Sequence, residues 1–283
     1  MAKFVPDVKT QRWIVIAPVR SDRPDENGVA VKPACPFCQG NENLTPPEVY
    51  RIGGEGEWNK PGWKIRVVPN KFPITDIHEV IIHSPDHKKD IEDFDIDYVE
   101  MLLKVYRSRF QTHLNDGQVM IFSNHGEHAG ASLSHPHSQL VVIPKQINLD
   151  ALVREPVQNI IDDNNFFVTY CPDFSQWPYE VWIAPKKEGT IFSDVTDEEV
   201  KDMAVILQRA LKRLGVKYRE PATKKIHGAL PFAYNFYIHH AKNWFIRIIP
   251  RLIHRAGFEL GTGLSVNVVD PATSAKELKE IEI

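Results

Sequence analysis

"FFVTYCPDFSQWPYEVWIAPKKEGTIFSDVTDEEVKDMAVILQRALKRL" (residues 166–214) decides the fold, because the chain carries its pattern twice. It reads as a strand, a turn with Pro and Phe, a second strand, an acidic linker and a long helix. In that helix Val200, Met203, Ala204, Leu207, Leu211 and Leu214 fall on one face. Thr196 and Glu199 supply a capping box at its start. The same order runs through "WKIRVVPNKFP" (63–73) and "HEVIIHSPDHKKDIEDFDIDYVEMLLKVYRSRF" (78–110). Each helix is followed by two more strand-like runs. These are "GQVMIFS" (117–123) and "SQLVVIP" (138–144) in the first copy, "PFAYNFYI" (231–238) and "WFIRIIP" (244–250) in the second.

The unit is therefore two strands, a helix and two strands, present as an internal repeat. Short hairpin-like connections predict an α+β fold, a mostly antiparallel sheet with helices packed on it. The expected division is a first half at 1–144, a connecting segment at 145–165 and a second half at 166–283. A strand plus helix over 264–281 is expected to decorate the core. The copies differ in their ionisable residues. His137 has Asn243 opposite it when Pro144 and Pro250 are aligned, and His87 falls near Glu188. Chemistry is thus expected in the first half.

The 283 residues have the apolar, aromatic and charged fractions of a soluble globular protein. A net charge of −3 supplies no sequence-wide basic field, so nucleic acid is not an expected partner. "MAKFVPDVKT" has no apolar signal-like stretch and no run approaches membrane-spanning length, so the expectation is a cytoplasmic protein without membrane partners. Three cysteines argue against a disulfide framework. Cys171, among apolar residues, reads as a packed thiol. Cys35-Pro36-Phe37-Cys38 reads as half a zinc site or as a redox pair.

"SLSHPHSQLVVIP" (132–144 with its flanking Ser132 and Leu133) carries the densest chemistry. If Cys35 and Cys38 bind zinc, two further ligands are needed. His87 and His135 sit at element ends and suit a Cys₂His₂ set, with His78 and His83 as competitors. His135 and His137 share a strand face. The His135 carbonyl can accept the Nδ1 proton of His137, which leaves Nε2 unprotonated and nucleophilic. Gln139, one step along that face, can donate an amide hydrogen to an oxyanion without adding charge. Arg20 and Arg23, just past a strand, offer guanidinium forks for phosphate oxygens. Together these residues point to phosphoryl or nucleotidyl transfer.

"RWIVIAPVRSDRP", "CPFCQGNENLTPPEVY", "RVVPNKFP", "SPDH", "SNHGEHAGASLSHPHSQ" and "PRLIHRAGFELGTG" occur in an order that resembles the galactose-1-phosphate uridylyltransferase family, the transferase branch of the histidine-triad superfamily. The resemblance covers nearly the whole chain and implies a duplicated histidine-triad α+β unit. It implies one structural zinc on Cys35, Cys38, His87 and His135, with His137 as the uridylylated nucleophile and Gln139 on the transferred phosphoryl group. It also implies that Arg20 and Arg23 meet substrate phosphates, and that Asn70, Phe72, Asn124 and Ser132 line the nucleotide pocket. Phe258 and Glu259 match positions that contact the sugar across a homodimer interface.

Two departures stand out. A second metal site of some family members is expected to be absent, because Phe245, Arg247 and Ile249 stand where imidazoles would be needed. "GFELGTG" also occurs in relatives that phosphorolyse nucleotide sugars, including ADP-glucose phosphorylase. The resemblance therefore implies a ping-pong UDP-glucose–hexose-1-phosphate uridylyltransferase whose partners are a nucleotide sugar and a hexose 1-phosphate. The alternatives are a nucleotide-sugar or dinucleotide phosphorylase using the same histidine, and an inactive zinc-stabilised nucleotide-binding protein. Gln139 favours transfer over hydrolysis: a departing sugar phosphate, with a second pKa of about 6, needs little help from a proton donor.

Overall fold

In a computed structural model, which describes residues 2–7, 12–23, 34–54, 57–147, 149 and 157–283, the two repeats build a single sheet. An N-terminal ribbon pairs β1 (Lys3–Asp7) with β2 (Arg12–Ile16). The first half of the main sheet holds β3 (Tyr50–Ile52), β4 (Ile65–Pro69) and β5 (His78–Ile82). Helix α1 (Ile96–His113) then leads to β6 (Gln118–His125) and β7 (His137–Ile143). The second half repeats the plan with β8 (Ile160–Asp163), β9 (Phe167–Tyr170), β10 (Val181–Pro185) and helix α2 (Asp197–Arg219). A short α3 (Pro221–His227), β11 (Tyr234–Ile238) and β12 (Ile246–Pro250) complete it. Helices α4 (Gly257–Thr262) and α5 (Pro271–Lys279) close the chain.

The strand order is β3-β4-β5-β7-β6-β11-β12-β10-β9-β8, and every ladder is antiparallel. Read outward from the centre, both halves give the same sequence of roles, so the order is that of a duplicated unit. The join is the β6–β11 ladder, where Asn124 lies opposite Asn235 and the Asn235 amide donates to the Asn124 side-chain oxygen at 2.8 Å.

Side-chain alternation sorts the sheet into two faces. One face carries Ile65, Val67, Ile81, Val119, Ile121, Leu140 and Val142 against α1 residues Val99, Leu102, Leu103, Tyr106 and Phe110. The α2 stripe of Val200, Met203, Ala204, Leu207, Leu211 and Leu214 is buried in the same core. Helix α2 starts on the capping box read from the sequence: Thr196 Oγ1 accepts from the Glu199 amide, and the Glu199 carboxylate accepts from the Thr196 amide. The opposite face carries two smaller clusters, one built on Val68, Val80 and Ile82 with Cys35, Phe37 and Trp63, the other on Tyr170, Trp182 and Phe245. Among the described residues no long helix packs on this second face, and the cavity that holds His137 lies over it.

Within the expected connecting segment β8 forms and extends the sheet edge; residues 148 and 150–156 of that segment lie outside the described residues. The strand expected near 264 does not form. Leu264, Val266 and Val268 alternate as in a strand but are 61%, 45% and 58% exposed, while Asn267 donates to the Ser175 and Trp177 carbonyls. Alternation specifies a strand only where a sheet edge is there to pair with it. The expected helix does form as α5, burying Ser274, Ala275 and Leu278. Among the described residues no helix is long and apolar enough to cross a membrane.

The cap on α2 gives a direct test. Thr196→Ala is expected to cost about 1 kcal/mol of stability, read as a lower urea midpoint at unchanged slope. A midpoint equal to that of the parent would show that the cap contributes nothing.

Candidate active site and metal centre

His137 opens β7, and the carbonyls on either side of it are hydrogen-bonded. The Pro136 carbonyl accepts from the His83 amide at 3.2 Å, and the His137 carbonyl accepts from Ser123 Oγ at 3.2 Å. His137 Nδ1 donates to the His135 carbonyl at 2.8 Å, so the neutral ring carries its proton there and leaves the Nε2 lone pair free. Burial is the main influence on this ring and pushes its pKa down to about 4, with the His83 and Arg23 charges acting in the same direction. The imidazole is therefore neutral at neutral pH. The Phe37 ring meets it edge-on at 5.1 Å.

His135 itself is fully buried and turns the other way. Its Nε2 donates to the Ser84 carbonyl at 2.8 Å, so Nδ1 is unprotonated and faces the two thiols, 3.7 Å from Cys35 Sγ and 3.6 Å from Cys38 Sγ. His87 Nδ1 lies 3.3 Å from Cys38 Sγ, and its Nε2 is 3.1 Å from Ser134 Oγ. All four donor atoms lie within 4.8 Å of one another. Tetrahedral zinc, with bonds of about 2.3 Å to sulfur and about 2.0 Å to nitrogen, separates such donors by about 3.5 Å. The residues thus fit a four-coordinate ion, with no protein position left open for catalysis. Burial, with neighbouring Cys38 acting in the same direction, pushes the Cys35 pKa up to about 12, and a bound cation would instead favour the thiolate. The competing candidates are engaged elsewhere, His83 with Asp90 and Ser138, His78 with Gln139.

A cavity of about 280 Å³ lies over this end of the sheet, near the lower end of the range for small-molecule sites. His137, Gln139, Asn70, Phe72, Asn124, Ser132 and Arg23 all line it, with apolar walls from Phe37, Leu44, Val68 and Val80. Ser132 is brought over the strands by the turn that starts at Gly126. There φ is +84°, and a Cβ would press within 3.1 Å of Ala233 and the Phe232 carbonyl, so only glycine fits without strain. The lining thus combines apolar walls with the polar side chains of His137, Gln139 and Asn70.

Not every expected residue reaches this cavity. Arg20 lies beside it rather than in its wall; one guanidinium nitrogen donates to the Phe72 carbonyl at 2.8 Å and so holds that residue in place. Phe258 and Glu259 sit on α4 away from the cavity. Phe258 is 55% exposed, and the Glu259 carboxylate accepts from the Ala256 amide. In the second half, Arg247 lies against the buried Glu180, with Nε 2.7 Å from Oε1 and NH2 2.9 Å from Oε2, and Phe245 stacks on Trp182 at 3.9 Å.

Two groups of residues carry roles that the motifs did not reveal. On the helix face, Ser138 Oγ lies 2.7 Å from His83 Nε2 and 2.5 Å from the Tyr106 hydroxyl, while His83 Nδ1 donates to Asp90 at 2.6 Å. Asp90 also accepts from His125 Nδ1 at 2.8 Å. This resembles a serine triad in order, but Ser138 is wholly buried, so the network holds β7 in place and does not meet a substrate. On the pocket face, His78 touches Gln139. Period-two alternation from Val80 and Ile82 puts His78 on that face, a signal that the sequence does carry.

Comparison with known proteins agrees with this fold. Residues 19–146 match the N-terminal domain of DUF4931, a domain of unknown function. ADP-glucose phosphorylase of Arabidopsis thaliana is 26% identical over 98% of this chain and 92% of its own length. Galactose-1-phosphate uridylyltransferase of Thermotoga maritima is 24% identical over 97% of this chain and 96% of its own. The crystal structure of the Arabidopsis enzyme with bound ADP-glucose superposes with a TM-score of 0.75 over the full length of both chains.

Removing one donor tests the metal centre. Cys35→Ser is expected to lower bound zinc well below the parent's content, measured by elemental analysis of purified protein, and to lower its melting temperature. Unchanged zinc would take Cys35 out of the site. Along nearly its whole length, and in fold, the chain is similar to galactose-1-phosphate uridylyltransferase and to ADP-glucose phosphorylase, and it is an enzyme of the nucleotidyltransferase class.

Proposed function

We propose that the enzyme transfers a nucleotidyl group from a nucleotide sugar through a covalent nucleotidyl-histidine on His137. The observation that carries this reading is the His137–His135 hydrogen bond, which leaves a neutral Nε2 facing the cavity beside Gln139. The Nε2 lone pair attacks the α-phosphorus, and the bond from that phosphorus to the bridging oxygen breaks. The hexose 1-phosphate leaves with the electron pair. An acceptor phosphate oxygen then attacks the same phosphorus and restores the free imidazole. Gln139 donates to the transferred phosphoryl oxygens and Arg23 balances their charge. Asn70, Phe72, Asn124 and Ser132 hold the nucleoside. Zinc on Cys35, Cys38, His87 and His135 fixes the backbone that His137 is bonded to, and takes no part in the bond changes.

The acceptor separates two readings. Likeness to ADP-glucose phosphorylase along nearly the whole chain favours inorganic phosphate, with an ADP-sugar as donor. The second reading is a UDP-glucose–hexose-1-phosphate uridylyltransferase, favoured by the Thermotoga likeness. In either, residues 1–144 are the catalytic half and 166–283 its degenerate partner. The large apolar side chains exposed on β2, Trp13, Ile14, Val15 and Ile16, together with Phe258, Leu260, Leu264, Val266 and Val268, support a homodimer. Phe258 and Glu259 would then meet the sugar in the partner's pocket.

Incubation with nucleotide sugars labelled at the α-phosphate is expected to leave acid-labile label on the protein, and His137→Asn to abolish it and lower turnover by about 10³-fold or more. Labelling of that variant at the parent level would remove His137 as the nucleophile. An acceptor screen should then yield ADP from ADP-glucose only when phosphate is added. A requirement for hexose 1-phosphate with UDP-glucose would select the second reading.

A further inference from the structure

The side-chain amide of Gln139 has two orientations, and only one presents its NH₂ group to the cavity. A chain of hydrogen bonds starting at two backbone amides selects between them. The Ile74 amide donates to His78 Nδ1 at 2.9 Å, so the neutral His78 ring must carry its proton on Nε2. That Nε2 lies 2.9 Å from Gln139 Oε1 and donates to it. Separately, the Phe72 amide donates to Asn70 Oδ1 at 2.8 Å, which turns the Asn70 NH₂ toward the same Gln139 oxygen. The Asn70 and His78 nitrogens, 3.1 Å apart, both carry hydrogens and converge on that oxygen. A flipped Gln139 would set its NH₂ against both donors.

We infer that His78 is a positioning residue that fixes the Gln139 amide with its N–H donors directed at the transferred phosphoryl group. Of the two donors His78 dominates, because 2.9 Å is ordinary hydrogen-bond length and the 3.4 Å from Asn70 is beyond it. The reach is built into the register. His78 lies opposite Val141 and Gln139 opposite Val80, so the two long side chains are diagonal neighbours on one face. His78 is 4% exposed, and its burial, with the Arg20 charge beside it, keeps it neutral. A protonated ring would lose the Ile74 bond, because Nδ1 would then be a second donor. The inference rests on the proposed role of Gln139 at the phosphoryl group.

The test is a double-mutant cycle read on the rate of nucleotidylation. His78→Leu keeps the bulk and removes the donor; His78→Gln returns an N–H near the place of Nε2. His78→Leu is expected to lower kcat about 10- to 100-fold with KM for the nucleotide sugar within about twofold. His78→Gln is expected to recover most of the loss. In a Gln139→Ala background, His78→Leu should cost less than about twofold. Parent-level kcat for His78→Leu, or a loss that multiplies fully with Gln139→Ala, would overturn the inference. The tautomer needs no variant: ¹⁵N spectra of histidine-labelled enzyme should show His78 protonated on Nε2, and an Nδ1–H ring would also overturn it. Failure of the parent to label on His137 sinks the covalent reading instead, and the tautomer measurement stands apart from that result.

Discussion

The hydrogen bond from His137 Nδ1 to the His135 carbonyl joins the two chemistries of this chain. It reaches from a side chain facing the cavity to the backbone of a residue whose own ring faces two thiols. One ring presents Nε2 outward because its Nδ1 is bonded; the other presents Nδ1 because its Nε2 is bonded to Ser84. Adjacent histidines with opposite tautomers are thus set by two carbonyl oxygens. Proline between them suits this arrangement, since it supplies no amide hydrogen to compete for the His135 carbonyl. An ion on His135 would stiffen the acceptor, and so the direction of the His137 ring.

The strand that carries these residues is held from behind as firmly as from the front. Ser138 points into the helix side, where His83, Tyr106 and Asp90 close a buried polar network. Asp90 accepts from two histidines and the Ile91 amide. The favourable contacts outweigh burial and hold its carboxyl well below the usual carboxylate range. A fully partnered network of this kind specifies one strand position, where an apolar core would tolerate a slide. A one-residue slip of β7 would exchange His137 and Gln139 for Ser138 at the cavity, so the register is worth this much polar burial.

The repeat, the α+β class, the capping box and the Cys35–Cys38 pair were legible in the sequence as patterns of residue order and spacing, whereas His87 and His135 were singled out from His78 and His83 by the resemblance, and the structure brings them to the thiols. Hydrophobic period located α2 to within its cap, and alternation sorted the strand faces. Partners across the sheet were not legible. That Val80 pairs with Gln139, and hence that His78 reaches Gln139, depends on a register between strands more than fifty residues apart. The same limit explains the strand expected near 264: Leu264, Val266 and Val268 have the right alternation, but pairing is a property of the edge they would join. Arg20 shows a third kind of limit. Its type suited phosphate, yet the nearest acceptor is the Phe72 carbonyl, a backbone group that no motif displays.

The second half keeps the architecture of the first while its interior has been refilled. In the second half a guanidinium lies against a carboxylate on the cavity-bearing face of the sheet, flanked by stacked Phe245 and Trp182. A paired Arg247–Glu180 needs no loading from solution, so it can hold the strands together without an ion. What the second half cannot relinquish is the central ladder. Asn235 on β11 donates both to Asn124, a wall of the cavity, and to the Ala129 carbonyl in the loop that delivers Ser132. The cavity is therefore shaped from both halves although its reactive groups come from one. Through Asn235 the second half takes part in shaping a site whose reactive side chains lie in the first.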